Sequence, residues 1–179
     1  GPEEGEGRET PSPYYALPRA IAKCGGPLAE KIVAKGLVER GPFLEGSVLA
    51  MGDLAVKKKS LEESTEVALL SLSEPKNGAP SDSVFYALSR IQPRDANRTQ
   101  KSARDALSRK GWARGFAIKT LGKIGKAAVS DLEAIVSDAS SFSPEEKIEA
   151  ARGLANVGEE GKRAAAKLLA SLLPSPDPF

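Results

Sequence analysis

The stretch Leu121-Gly122-Lys123-Ile124-Gly125 is one of five related copies of a short pattern in this chain. Each copy has an apolar residue, a small residue, a polar residue, an aliphatic residue or Cys, and then usually Gly or Ala. The copies begin 30, 37, 33 and 33 residues apart, at Ile21, Met51, Leu88, Leu121 and Leu154. A period of this length is typical of stacked helical hairpins. It predicts an all-α protein, a right-handed α-solenoid of about five antiparallel hairpins.

Apolar residues recur at helical spacing on both sides of each copy. In the last repeat, Ser143-Pro144-Glu145-Glu146 predicts an N-cap, a proline at the first helical position and acids in the first turn. The spacing predicts further helices over 14–24, 27–39, 43–56, 60–73, 81–91, 94–109, 112–124 and 127–138. Repeated glycines inside and after these helices indicate close backbone approach or helix ends.

The domain organisation follows from the repeats. We expect a solenoid over 14–173, with repeats at about 14–40, 41–78, 79–110, 111–142 and 143–173. The loop 73–80 explains the longest step between copies. Residues 1–13 predict a disordered leader, in which Gly1-Pro2 is typical of a cleaved purification tag, and the proline-rich residues 174–179 predict a disordered tail.

The units 117–129 and 151–158 resemble HEAT repeats, particularly the short bacterial form called HEAT-like or lyase-type. In that family a helix ending in Leu-Gly-x-Ile-Gly, as at 121–125, precedes a second helix rich in Ala and Leu. The resemblance covers roughly residues 14–173 and is strongest in the last two repeats. It implies that the second helix of each pair lines a concave groove. Tetratricopeptide and ankyrin repeats have similar periods, but their signature residues are absent.

Composition excludes several kinds of chemistry. The chain has no His, which excludes Ser-His-Asp triads, Cys-His pairs and the usual zinc sites. Paired acids such as Glu145-Glu146 lie at predicted helix starts, where they complement the helix dipole. We therefore predict no catalytic residue, no cofactor and no metal site. The single Cys24 cannot form an internal disulfide, and its place in the aliphatic slot of the pattern predicts a buried position.

Charge is concentrated in one region. Residues 86–126 carry eleven basic residues and two acids, a net charge of +9 in a chain whose total is +2. We call the arginines and lysine that we predict to bind a partner the basic stripe: Arg94, Arg98, Lys101, Arg104, Arg109 and Arg114. A competing interpretation is neutralisation by acidic neighbours, namely Glu62, Glu63 and Glu66 on one side and Asp131, Glu133 and Asp138 on the other.

The function predicted from these features is a non-enzymatic protein–protein interaction scaffold or adaptor, whose groove binds an acidic segment or helix of a protein partner. The alternative is a nucleic-acid-binding module that uses the basic helix 94–110. An enzyme similar to HEAT-like DNA glycosylases or bilin lyases comes third, and we find no site motif for it.

No apolar run is long enough to span a membrane. The compartment stays open between the cytoplasm, which we favour, and export as a lipoprotein.

Three aromatic residues have open roles. For Trp112 we favour packing between repeats over a stacking platform for a nucleic-acid base. Tyr14 and Tyr15 precede the first helix and predict a hydrophobic cap over the end of the solenoid. The sequence decides neither the partner nor the oligomeric state.

Overall fold

The computed structural model describes residues 12–74, 81–109, 111–171 and 173. These residues form an all-helical structure without a β-strand. The helices are α1 (Pro13–Cys24), α2 (Gly26–Glu39), α3 (Leu44–Lys58), α4 (Glu63–Ser73), α5 (Val84–Leu88), α6 (Ala96–Leu107), α7 (Ala113–Ile124), α8 (Val129–Ser137), α9 (Pro144–Ala155) and α10 (Glu159–Ala170). A 3-10 turn, Gly125–Ala128, leads from α7 into α8.

A helix occupies each of the predicted ranges, with two notable differences in length. The pairing differs from the prediction, because α4 packs on α5 and α6 on α7, and within the described residues no substantial contact joins α3 to α4 or α5 to α6. The predicted helix 81–91 is only five residues long, Val84–Leu88, and the predicted helix 94–109 is shortened to Ala96–Leu107. Pro93 disfavours helical backbone at the residue before it. The Asp95 side chain then accepts a hydrogen bond from the Arg98 backbone N–H, which places the helix start after Asp95.

Parts of the predicted domain organisation lie outside the described residues. These parts are residues 1–11 of the predicted leader, residues 75–80 of the predicted loop and the predicted tail 174–179. Pro13, which we assigned to the leader, opens α1.

The odd-numbered helices α1, α3, α5, α7 and α9 pack against one another in chain order. We call them the odd row. The even-numbered helices lie beside this row and make smaller contacts with each other, between α2 and α4, α4 and α6, and α8 and α10. The first apolar residue of the sequence pattern supplies the core between the helices, because Met51, Leu88, Leu121 and Leu154 are fully buried. The pattern therefore orders the packing of the odd row.

Small residues allow the odd row to pack closely, as we predicted from the pattern. A Cβ added at Gly122 of α7 would lie 3.0 Å from the Gly153 Cα of α9. Gly125 and Gly158 have positive φ values of 81° and 119° at helix boundaries. The two predicted uses of glycine, close approach and helix termination, are both confirmed.

The first repeat differs from expectation at its outer side. Cys24 is exposed, so the prediction that it is buried is wrong. Its helix α1 is the first member of the odd row, and within the described residues no earlier hairpin covers it. The Tyr14 ring meets Phe43 edge-on at 5.1 Å, but Tyr14 and Tyr15 remain 45% and 44% exposed. They cover this end only in part.

Candidate interaction surface

Five of the six residues of the basic stripe form ion pairs with acidic residues elsewhere in the chain. The Arg98 Nε lies 2.7 Å from the Glu74 carboxylate, and the Arg104 Nε lies 2.7 Å from the Asp131 carboxylate. The full set of pairs is Arg94 with Glu66, Arg98 with Glu74, Arg104 with Asp131, Arg109 with Asp82 and Arg114 with Glu146. Lys101 is exposed and forms no ion pair with a described carboxylate.

These pairs balance the stripe's charge within the chain. Glu66 and Asp131 are among the acids that we named for neutralisation, whereas Glu74, Asp82 and Glu146 are partners that sequence reasoning missed. Sequence reasoning missed these three because they lie outside the predicted helices 60–73 and 127–138, from which we took the acidic neighbours. The stripe's charge therefore does not support partner binding by these arginines.

The pair between α7 and α9 is the most enclosed one. Arg114 donates two hydrogen bonds to the Glu146 carboxylate, at 2.6 and 2.7 Å, and the two side chains are only 15% and 16% exposed. Glu146 also accepts a bond from the Ser143 backbone N–H in the predicted N-cap, which forms a capping box. The Arg114 hydrogen bond lowers the pKa of Glu146 below its ordinary value.

Long polar side chains tie α2, α4 and α6 to the segment before the next even-numbered helix. Glu30 of α2 is 1% exposed, accepts a hydrogen bond from the Glu62 backbone N–H at 2.6 Å and pairs with Lys58. Glu66 of α4 is 3% exposed and accepts one from the Arg94 backbone N–H at 2.8 Å. The Gln100 side chain of α6 is a donor instead of an acceptor, and it donates to the Ala127 carbonyl at 2.9 Å. The three side chains form a repeated structural link.

An aromatic–cation cluster lies on α5 and α7. It consists of Tyr86, Arg90, Trp112, Phe116 and Lys119. The Phe116 ring meets Tyr86 at 5.4 Å and Trp112 at 5.6 Å, both edge-on. The Arg90 guanidinium lies 3.9 Å from the centre of the Tyr86 ring, and the Lys119 Nζ lies 5.3 Å from the centre of the Phe116 ring.

Polar residues of α1 and α3 hold Tyr86 of the cluster in place. The Tyr86 hydroxyl donates to the Asp53 carboxylate of α3 at 3.1 Å, and Arg19 of α1 pairs with that same carboxylate at 2.7 Å. Burial, followed by the hydrogen bond to Asp53, raises the pKa of the Tyr86 phenol. A Cβ at Gly52 would collide with the Tyr86 ring, so the glycine of the second pattern copy makes room for this ring.

Trp112 does not pack between repeats as we favoured, because it is 62% exposed. It lies immediately before α7. The spacing of Trp112, Phe116, Lys119 and Lys123 places these four residues along one helix face. That spacing was available in the sequence. What the sequence lacked was the position of α5, which brings Tyr86 and Arg90 to the same face.

A shallow cleft of about 150 Å³ adjoins the cluster between α7 and α9. Its lining includes three cations and one carboxylate: Lys119, Lys123, Arg152 and Glu149. Both Lys119 and Arg152 lie near Glu149, with nitrogen-to-oxygen distances of 3.9 and 3.5 Å. Within the described residues, Lys123 has no carboxylate within ion-pairing distance, and neither has Arg90 of the cluster. Positive charge is therefore in excess on this face.

Neither a membrane-spanning helix nor a metal-ligand group occurs within the described ranges. In residues 12–74, 81–109 and 111–171, no helix has both the length and the apolar character needed to cross a bilayer. Over the same ranges, no group of three or more Cys, Asp or Glu side chains is arranged to hold a metal ion.

Comparison with known proteins returns no assignment: no family model matches the chain, and no curated protein sequence matches it significantly.

Proposed function

We propose that this protein is a non-enzymatic interaction module, a HEAT-like right-handed solenoid of about five hairpins that binds an acidic segment of a partner protein. The ordered packing of α1, α3, α5, α7 and α9 supports the solenoid, because in repeat proteins each unit contacts mainly its neighbours. The resemblance of residues 121–125 and 151–158 to HEAT repeats supports the same architecture.

The observation that carries the function is the unbalanced positive charge beside exposed aromatic surface on the odd row. Arg90 and Lys123 have no carboxylate partner among the described residues, while Trp112 is 62% exposed next to Phe116. An acidic segment would gain charge complementarity there, and an apolar side chain in it would cover the aromatic rings. We therefore propose this face, rather than the paired basic stripe, as the binding surface.

Affinity capture from cells of the source organism tests the proposal. The bait is the full chain, compared with an Arg90→Ala/Lys123→Ala variant and with a control, Lys31→Ala/Arg163→Ala, that removes two exposed cations from even-numbered helices. We expect a protein retained by the wild type and the control but lost with the first variant. Equal retention by all three baits would contradict the proposed surface.

The nucleic-acid module is the second candidate, because exposed Trp112 beside Lys119 also suits stacking of an unpaired base above a phosphate backbone. Helix 94–110, on which we predicted this function, has its arginines in ion pairs. Titration with a single-stranded oligonucleotide at rising salt separates the candidates. Tight binding that weakens steeply with salt would favour nucleic acid, and no binding at low salt would eliminate it. The enzyme alternative stays the third prediction, and the sequence contains no site motif that supports it.

A further inference from the structure

We propose that the cleft between α7 and α9 binds a phosphoryl group, carried by a phosphorylated serine or threonine side chain of the partner protein. This inference rests on the proposed function and specifies the chemistry that the same face recognises. It concerns Lys119, Lys123 and Arg152, with Ser89 and Asn156 at the edge of the cleft.

The charge of the cleft matches a phosphoryl group better than a carboxylate. Three cations and Glu149 leave a net charge of +2 in the cleft, before Arg90 in the turn after α5 is included. A phosphate monoester carries about −1.5 to −2 at neutral pH, whereas an Asp or Glu side chain carries only about −1. A carboxylate would therefore leave positive charge uncompensated.

The hydrogen-bond donors also fit three acceptor oxygens. The exposed Lys123 ammonium and Arg152 guanidinium both line the cleft, and the Asn156 amide adds a neutral donor. The Ser89 hydroxyl, by contrast, already donates to the Tyr86 carbonyl at 3.4 Å. The cleft is also lined by Gly122 and Gly153, so no side chain projects from these two positions to block an oxygen. Lys119 is shared with the aromatic–cation cluster and connects the two surfaces.

The adjoining surface indicates what accompanies the phosphoryl group. A second cleft of about 200 Å³ is lined by Trp112 and Phe116, and it shares Lys119 and Glu149 with the first. A flat apolar side chain near the phosphorylated residue would lie against these rings. A nucleotide would use the same two clefts, but the acids Glu145, Glu146 and Glu149 that line the aromatic one oppose a continuous phosphate backbone, so we argue for a protein ligand.

Binding of short peptides tests the inference directly. The probes are Gly-Phe-phosphoserine-Gly with blocked ends and its analogues with serine or glutamate in place of phosphoserine. Trp112, the single tryptophan of the chain, reports binding by fluorescence, and amide NMR shifts locate it. We expect the phosphopeptide to bind at least about fivefold more tightly than the glutamate peptide, the factor that about 1 kcal/mol of additional charge pairing provides.

Variants connect the signal to the cleft. Lys123→Ala should weaken phosphopeptide binding about fivefold, as expected for one exposed charge pair, while Lys31→Ala leaves it unchanged. The inference is overturned by equal affinity for the glutamate peptide, by an unchanged affinity in Lys123→Ala, or by no saturable signal up to about 10 mM peptide, which would make any binding weaker than about −2.7 kcal/mol. Tighter binding of an oligonucleotide of equal charge would also overturn it, in favour of nucleic acid.

Phosphatase treatment of the lysate separates this inference from the proposed function. If capture of a partner requires Arg90 and Lys123 and is lost after phosphatase treatment, the phosphoryl inference and the proposed function are both supported. If it depends on these residues and survives treatment, the phosphoryl inference fails while the interaction module stands. If capture does not depend on these residues, the proposed function itself fails.

Discussion

Gly46 decides how closely α1 and α3 approach. A Cβ added there would lie 2.1 Å from the Tyr14 carbonyl oxygen and 3.0 Å from the Tyr15 Cα, both backbone atoms that cannot rotate away. Overpacking of this kind costs about 1–3 kcal/mol. The position therefore needs glycine for space, although an alanine would favour the helix itself.

We expect Gly46→Ala to lower the free energy of unfolding by about 2 kcal/mol in urea denaturation. The matched control is Gly115→Ala in α7, where no heavy atom lies within 4 Å of the added Cβ. That change should raise stability by about 0.5–1 kcal/mol through helix propensity. A stabilised Gly46→Ala variant would show that α1 does not pack as described.

The Arg114–Glu146 pair links stability to pH. Because the folded state lowers the pKa of Glu146 from its ordinary value of 4.5, the pair stabilises the fold above that value. The stabilisation disappears as pH falls through the folded pKa. Arg114→Met should therefore cost about 1–2 kcal/mol at neutral pH and progressively less below about pH 4.

Urea denaturation across this pH range measures the effect. Asp138 and Glu145 also have lowered pKa values, owing to hydrogen bonds from backbone N–H groups in their own loop or helix turn, so the wild type loses stability in acid for these reasons too. The informative quantity is the difference between wild type and variant. A difference that does not change with pH would mean that Arg114 acts through packing and its hydrogen bond to the Ser141 carbonyl instead of through Glu146.

At the scale of the helix, buried acceptors set the distance between successive even-numbered helices. Glu66 joins α4 to the segment before α6 through the Arg94 backbone N–H. The carboxylate is 3% exposed, and its removal leaves the Arg94 backbone N–H without this acceptor. Glu30 makes the corresponding link one hairpin earlier.

Glu66→Ala should therefore destabilise the protein by about 1.5–3 kcal/mol, since it removes a buried, charged acceptor from the Arg94 N–H. Glu66→Gln keeps a carbonyl oxygen for the Arg94 N–H and should cost about half as much. Thermal or urea denaturation of the two variants decides between them. Equal losses would assign the effect to the charge of the Arg94–Glu66 pair instead of the backbone hydrogen bond.

In the whole molecule, contacts between helices are mainly those between neighbours along the chain. The α9 helix packs on α7, α8 and α10, and it has no substantial contact with α1–α3. A chain connected in this way can open at one end while the other end stays folded. A destabilising substitution should therefore loosen mainly the helices close to it.

Leu154 of α9 is fully buried, so Leu154→Ala should cost about 2–5 kcal/mol locally. Hydrogen exchange followed by mass spectrometry should show faster exchange in α8–α10 and nearly unchanged protection in α1–α3. Leu54→Ala, in α3, is the matched control and should reverse this distribution. Uniform loss of protection in either variant would indicate a single cooperative unit.

The helices could be predicted because their signals are local. Periodic apolar residues and the Ser143 cap act within one or two turns, and they appear in the structure at the predicted place. The pattern glycine Gly122 also acts between helices, through its contact with Gly153. The short α5 and the late start of α6 were missed because Pro93 and the Asp95 cap outweighed the helical periodicity around them. Of the candidate site, only the spacing of Trp112, Phe116, Lys119 and Lys123 was readable.

The amino-acid sequence by itself determined an all-helical chain, because hydrophobic period and capping are properties of neighbouring residues. Only the tertiary structure decided which charges remain available. It paired arginines such as Arg98 and Arg104 with carboxylates more than 20 positions away, and it left Lys123 and Arg90 without such partners among the described residues. The physical reason is that ion pairing depends on distance in space, and that distance is set only when the helices pack.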